Sequence, residues 1–325
     1  RTKLFESYLH GGSGNEPRWY DKSLSLICTP DGDAAVNFEH SPFDGSTLIR
    51  MMNDVWHMDA GLPSGKEVPT KAMEDTSMVV TPVRLDFDLT PVASALNHAS
   101  TTFDRLKSVT STHAFHFGAF GAGTIRSWGR DFGPDGVMHM AFQLAYGRLH
   151  HRHDISVYSA ASTKVFLCGR TEAVRCTTAQ SVALASQFDG TDDPEARREL
   201  LRAAVRKHRA NSKLAGKGLG VDRHLFALSC LAEGRAPGMF GDAWAAHQKS
   251  TLSTSNCSVF GTSIVTPGFG AVCDDGYGLG YVISTESIDI CITNFTGPRG
   301  TGGEGFGGVK QEAADVVFDT SSSEL

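Results

Sequence analysis

The sequence has no C-x-x-C pair, no concentrated basic tract and no apolar run long enough to cross a bilayer. Its seven cysteines, Cys28, Cys168, Cys176, Cys230, Cys257, Cys273 and Cys291, stand far apart. Neither a zinc ribbon nor a disulfide framework is expected from that spacing, and a reducing compartment is the simpler reading. The 36 acidic and 30 basic side chains are spread along the chain for a net charge of −6, which lacks the footprint of a nucleic-acid binder. The best apolar stretches, around Gly280–Ser284 and Ile288–Phe295, are short and interrupted, so no transmembrane helix is expected. His150, His151 and His153 form the densest imidazole group, but such runs are usually solvated helix ends, and no metal is expected. The chain opens on Arg1 without methionine or a leader-like stretch, so a processed or partial chain is expected, and the final Ser-Glu-Leu is a poor peroxisomal tail.

What is there reads as a globular protein. A chain of 325 residues, 40% hydrophobic and 20% charged, can bury one large or two medium cores. Residues 24–29 and 34–38 flank Pro30-Asp-Gly-Asp33, which predicts a β-hairpin. Leu48, Ile49, Met52 and Val55 recur at helical spacing over residues 46–56. Residues 59–82 are polar and broken by Pro63, Gly65, Pro69 and Pro82, so a linker and a domain boundary near residue 82 are expected.

Beyond that boundary, Val83-Arg-Leu-Asp-Phe-Asp-Leu89 alternates with period 2 and predicts a half-buried strand; Thr90-Pro91 then starts a helix. Pro134-Asp135 opens an amphipathic helix with Val137, Met140, Ala141, Leu144 and Ala145 on one face. Residues 194–210 form a helix with acids early and bases late, and Asp222–Leu225 lie on another. Strands are expected at 269–273, 279–284 and 288–295, and a glycine-rich stretch at 297–308 leads to a last helix. The mixed order argues for an α/β fold, a mixed sheet flanked by helices.

The sharpest local feature is Phe38-Glu-His-Ser-Pro-Phe-Asp-Gly45, which sets a histidine on a tight loop at a strand end as H-x-x-x-D-G. Transfer of an acyl group from a thioester to a hydroxyl needs a base that titrates near neutrality, and His40 suits that task. Asp44 is better placed to orient the loop than to carry a proton. By itself the motif also fits a structural histidine in a turn.

Seven ordered runs narrow the choice. They are Arg18-Trp-Tyr-Asp-Lys-Ser23, Phe38-Glu-His40 with its Asp-Gly, Met140-Ala-Phe-Gln-Leu-Ala-Tyr146, Gly169-Arg-Thr-Glu172, Asp222-Arg-His-Leu-Phe-Ala-Leu228, Leu252-Ser-Thr-Ser255 and Asp275-Gly-Tyr-Gly-Leu-Gly-Tyr281. Together they resemble the carnitine/choline acyltransferase family, most closely its carnitine palmitoyltransferase II branch. The resemblance implies two related α/β domains of the chloramphenicol acetyltransferase-like, CoA-dependent fold, with residues 1–82 ending the first and residues 83–325 forming the second. It implies acyl-CoA and carnitine as substrates, meeting in a tunnel, with no covalent acyl-enzyme and no cofactor. Coenzyme A is then a cosubstrate.

Carried over residue by residue, the resemblance makes His40 the base and the Ser255 hydroxyl a donor to the oxyanion. It assigns the carnitine carboxylate to Tyr158, Thr171 and Arg223, with Ser253 beside them, and the trimethylammonium group to Phe269. Thr171 with Arg223 selects carnitine over choline, which has no carboxylate. Pro267 and Gly268 stand where long-chain members leave an acyl channel open, favouring a long or medium acyl chain. Arg126, Arg130, Asp135 and Ser162 fall on the CoA side, although the arginines are offset from the family's lysine positions and Ser159-Ala160 replaces its Glu-Ser. Those departures keep a non-catalytic acyl-CoA or acylcarnitine binder, or a truncated inactive fragment, as the competing reading. A transferase acting on another alcohol is a third. Mitochondrial placement, on the matrix side of the inner membrane, is implied, with a peroxisome as the alternative. Any peripheral membrane contact would belong to the rest of the first domain, and the oligomeric state is left open.

Overall fold

The computed structural model describes residues 1–11, 18–59, 83–258 and 266–296. The helix expected after residue 308, most of the linker and the glycine-rich stretch lie outside the described residues.

The hairpin forms where the turn chemistry places it. Strands β1 (Leu24–Cys28) and β2 (Ala34–Phe38) pair antiparallel from Leu24↔Phe38 to Cys28↔Ala34. Gly32 supplies the positive φ of 88° in the turn, where the Asp33 amide donates to the Thr29 hydroxyl. Helix α2 (Gly45–Asp59) follows the histidine loop at once, and helix α1 (Thr2–His10) precedes the hairpin.

The second sheet is larger and mixed. Its strands are β3 (Thr110–Phe117), β4 (Val157–Ser162), β5 (Thr171–Arg175), β6 (Leu252–Asn256), β7 (Tyr277–Ile283) and β8 (Ile288–Phe295), in the order β3-β8-β7-β6-β4-β5. The β6 pairings to β4 and β7 are parallel and the others antiparallel. Helices α3 (Ala93–Val109), α4 (Ala122–Ser127), α5 (Pro134–His150), α6 (Ala179–Gln187), α7 (Pro194–Gly216), α8 (Asp222–Ala232), α9 (Pro237–Phe240) and α10 (Asp242–Gln248) connect and flank it. This is the expected α/β fold with a mixed sheet.

Helix α5 is buried on two sides rather than one. Met138, Phe142 and Tyr146 meet Val157, Leu279, Tyr281 and Ile290 of the sheet, while Val137 and Met140 meet Leu184 of α6 and Ala204 and Val205 of α7. A helix sandwiched between layers has no solvent face to keep polar, which is why the one-face pattern read from sequence understates its burial. Gly136 permits the approach of α7, since a Cβ there would lie 2.9 Å from Val205.

Helix α7 starts as its sequence dictates. Pro194 occupies the first turn, and the Asp193 carboxylate accepts from the Glu195 amide at 3.0 Å. It runs to Gly216, beyond the limit read from its charges.

Two strand expectations fail. Residues 83–89 form no strand and join no ladder among the described residues, and Val83, Leu85 and Phe87 are 72–79% exposed. A period-2 pattern specifies a face but does not supply a neighbour to bond with. Residues 269–273 also form no strand; they cross the sheet face, with the Phe269 carbonyl accepting from the Thr293 hydroxyl at 2.6 Å. Leu252-Ser-Thr-Ser255, in contrast, is part of a central strand.

Candidate functional site

Aromatic stacking and one arginine set the histidine loop. The Phe38 and Phe43 rings stack 5.8 Å apart, and the His40 ring lies 5.9 Å from Phe38. The His40 side chain is 67% exposed and lines a pocket of about 220 Å³ with Arg18, Trp19, Tyr20, Asn37 and Phe38. Its Nδ1 is 3.9 Å from Asp44 Oδ1, too far for a hydrogen bond. That buried oxygen instead accepts from Arg170, at 3.1 Å from Nε and 2.9 Å from Nη2. The same guanidinium donates to the carbonyls of Ser41 and His40, both at 2.9 Å. Asp44 therefore acts on the loop through Arg170, which closes it from the far side like a clasp.

Arg170 immediately precedes Thr171, the first residue of β5, so the clasp fixes the His40 loop to the edge of the large sheet. Lys164 adds a second tie, its ammonium donating to the Thr47 hydroxyl at 2.5 Å.

Strand alternation places the next group of residues. Leu252, Thr254 and Asn256 of β6 point toward α5: Leu252 is in the core and Asn256 bonds Asp135. Ser253 and Ser255 therefore point to the opposite face. Cross-strand partners share a face, and Ser253 opposes Tyr158, so Tyr158 and Ser162 of β4 lie there too, with Thr171 opposite Ser162. Across β7, Gly278 and Gly280 oppose Ser253 and Ser255. Pro267–Phe269 run over these glycines: a Cβ on Gly280 would lie 2.7 Å from the Pro267 carbonyl, and one on Gly278 2.8 Å from that of Phe269. Gly268 packs under Phe5 of α1 and beside Cys291. One sheet face thus carries Tyr158, Ser162, Thr171, Ser253, Ser255 and the Pro267–Phe269 segment.

Arg223 reaches this group from the start of α8. Its Nη2 is 3.4 Å from the Tyr158 hydroxyl, and its backbone amide donates to buried Glu172 at 3.2 Å. Beside it, Asp222 is buried and bound in a fork by Arg175, Nε to Oδ1 at 2.8 Å and Nη2 to Oδ2 at 3.2 Å, with His247 at 3.1 Å. Burial pushes the Asp222 carboxyl up, but the hydrogen bonds and charge of Arg175, joined by His247, hold it below the usual carboxylate range. The Arg175 guanidinium also lies 5.5 Å from the Tyr158 ring, a cation–π distance. Thr171 sits at the other end of the β4–β5 ladder from Tyr158, four rungs or about 13 Å away, so the two do not touch.

The remaining candidates lie on the helix side. Arg126 is on α4 and exposed, and the Arg130 carbonyl accepts from Arg209 of α7 at 3.0 Å. Asp135 opens α5 with its carboxylate already engaged: Oδ1 accepts from the Tyr281 hydroxyl at 2.7 Å and from Asn256 at 2.8 Å, and Oδ2 is 3.2 Å from His208 Nε2. Burial opposes its ionisation, but these hydrogen bonds and the two nearby histidines, His208 and His139, hold Asp135 well below the usual range. His150 bonds the Tyr277 hydroxyl at 3.0 Å rather than joining His151 and His153 in a cluster.

Sequence reasoning missed Arg170, Arg175 and Glu172 as positioning groups. Arg170 and Glu172 stand inside the quoted Gly169–Glu172 run, but nothing local shows that they bond residues more than fifty positions away.

Comparison with known proteins follows the same lines. Residues 2–308 match the sequence profile of the family described as Choline/Carnitine o-acyltransferase. The chain is similar to the mitochondrial carnitine O-palmitoyltransferase 2 of Xenopus tropicalis, 32% identical over 303 residues that cover 91% of this chain and 45% of that protein. The human mitochondrial carnitine O-palmitoyltransferase 2 is 30% identical over 302 residues, 90% and 44% of the two chains. A carnitine O-acetyltransferase of Columba livia is 29% identical over 306 residues, 91% and 47%. The chain spans less than half the length of these curated relatives.

Proposed function

This chain belongs to the choline/carnitine O-acyltransferase family, and on that premise we propose that the whole protein moves an acyl group between coenzyme A and carnitine with His40 as general base. The observation that carries the reading is the clasp: Arg170 bonds the His40 loop and leads directly into Thr171, on the sheet face that also bears Ser253 and Ser255. A base is tied to a surface that offers hydroxyl donors.

In this reading His40 takes the proton from the carnitine hydroxyl as it attacks the thioester carbonyl, or from the coenzyme A thiol in the reverse direction. Ser255 donates to the developing oxyanion. Arg223, beside Tyr158, meets the carnitine carboxylate, and Phe269 faces the trimethylammonium group. Ser162 and the helix-side Arg126 and Arg130 serve coenzyme A; Thr171, about 13 Å along the ladder from Tyr158, stands too far off to share that carboxylate, and the Asp135 carboxylate is already spent on Tyr281, Asn256 and His208. No cofactor is needed for this chemistry.

A long or medium acyl chain is the preferred cargo, on the strength of the small Pro267-Gly268 step. The names of the relatives span palmitoyl and acetyl transfer, so the assay must span them too. Mitochondrial placement accords with the names of the palmitoyltransferase relatives. The test is acyl transfer by the complete protein with acetyl-, octanoyl- and palmitoyl-CoA. His40→Ala should lower kcat by about 10²–10⁴-fold with every donor; turnover at the wild-type rate would end the assignment.

A further inference from the structure

Between α5, α7 and the end of β5 lies a polar cluster inside an otherwise apolar interior. His139 is fully buried, Cys176 is 1% exposed and His208 3%. One donor atom from each of the three lies within 4.8 Å of the other two, and no other group of metal-capable side chains gathers so closely among the described residues. The imidazole rings stand 4.4 Å apart, yet no hydrogen bond joins them. We propose that His139, Cys176 and His208 bind a divalent cation of the zinc class, with Asp135 as the carboxylate that orients His208 behind it.

Unspent donor capacity is the first argument. His208 places Nε2 at 3.2 Å from Asp135 Oδ2, so that nitrogen carries the proton and Nδ1 keeps its lone pair. His208 Nδ1 is buried without a hydrogen-bond partner, and so is His139 Nδ1. A carboxylate on one ring nitrogen with a free lone pair on the other is the arrangement that presents histidine to a metal. Gln143, one turn beyond His139, bonds the carbonyls of His139 and Cys176 through Nε2, and its Oε1 is also buried and unpartnered. Two imidazole nitrogens and a sulfur make a three-donor set.

Charge is the second. A divalent cation, one thiolate, two neutral imidazoles and the Asp135 carboxylate sum to zero, so the loaded cluster meets the interior as a neutral group. Cys176 now donates weakly to the Val174 carbonyl at 3.4 Å. On loading, the S–H bond breaks, its proton passes to solvent and the sulfur lone pair forms the metal bond. Metal–nitrogen bonds of about 2.0 Å and a metal–sulfur bond of about 2.3 Å require donor atoms roughly 3.3–3.5 Å apart. Side-chain shifts of about 1 Å close the present spacing. The ion would staple α5 and α7 to the sheet, and through Asp135, Asn256 and Tyr281 it would brace β6 and β7 beneath Ser255.

The test is a Co²⁺ titration of the full chain after dialysis against a chelator, read by absorbance. Visible bands of low-symmetry Co²⁺ and a near-ultraviolet thiolate band should saturate together at one equivalent, and Zn²⁺ should displace them. Cys176→Ser should remove the thiolate band and keep the visible ones. His139→Gln, which preserves volume, should weaken Co²⁺ binding at least tenfold while circular dichroism stays unchanged; this variant decides the matter if the serine variant does not fold. Absence of both bands overturns the proposal. So does a spectrum unchanged in both variants, which would put the metal elsewhere, for example on the His150–His153 segment.

Discussion

Replacing Arg170 by alanine should cost more in catalysis than its half-exposed position suggests. The guanidinium makes four contacts of 2.9–3.1 Å: two to Asp44 and two to the carbonyls of Ser41 and His40. Hydrogen bonds to charged groups are each worth about 1.5–3 kcal/mol when shielded. Arg170 is 50% exposed while Asp44 is 8% exposed, so solvent screens one partner and not the other. A discounted sum of about 2–3 kcal/mol for holding the loop follows. Spent entirely on loop position, that energy corresponds to about 30–150-fold in rate at 1.36 kcal/mol per tenfold. Displacing a base by about 1 Å costs a similar factor. The complete Arg170→Ala protein should therefore lose about 10²-fold in kcat with little change in the KM for either substrate. Arg170→Lys, which restores the charge but not the fork, should recover only part of the loss. Urea unfolding should show a parallel drop of about 2 kcal/mol. A kcat within threefold of wild type would refute the clasp as the element that positions His40.

Arg223→Asn removes the guanidinium beside Tyr158 and should raise the KM for carnitine by about 10-fold or more while leaving that for acyl-CoA unchanged, as initial-rate kinetics with each substrate varied would show. Asp222→Ala leaves Arg175 buried without its carboxylate and should destabilise the chain by about 3–5 kcal/mol in chemical denaturation. Because Asp222 is held below its ordinary value of 3.8, its contribution is full above that pH and is lost as pH falls through its folded value; stability measured downward from about pH 4 should fall more steeply in wild type than in Asp222→Ala. Gly280→Ala would set a methyl 2.7 Å from the Pro267 carbonyl and 3.0 Å from the Gly268 Cα, so the Pro267–Phe269 segment must move; about 1–3 kcal/mol of stability and a changed acyl-length profile are expected.

The sequence by itself determined the local structure of the histidine loop. Pro30-Asp-Gly-Asp33 forces a reversal, Asp193-Pro194 starts a helix, and H-x-x-x-D-G puts His40 between a strand and a helix, because each depends on residues within one or two turns of chain. Ordered motifs along the chain also determined the family. Only the tertiary structure decided which of those residues meet. The period-2 segment at residues 83–89 has the pattern of a strand and pairs with none among the described residues, whereas the serine-threonine run at 252–255 became a central strand because β4 and β7 flank it in parallel. Helix α5 reads as amphipathic with one apolar face and lies buried between two layers. Arg170 on Asp44, Arg175 on Asp222, and Asp135 between Tyr281 and His208 each join residues tens to more than a hundred positions apart. The physical reason is common to all of them. Local propensity acts over a few residues, but a charge is partnered and an interior filled by whatever the folded chain brings alongside.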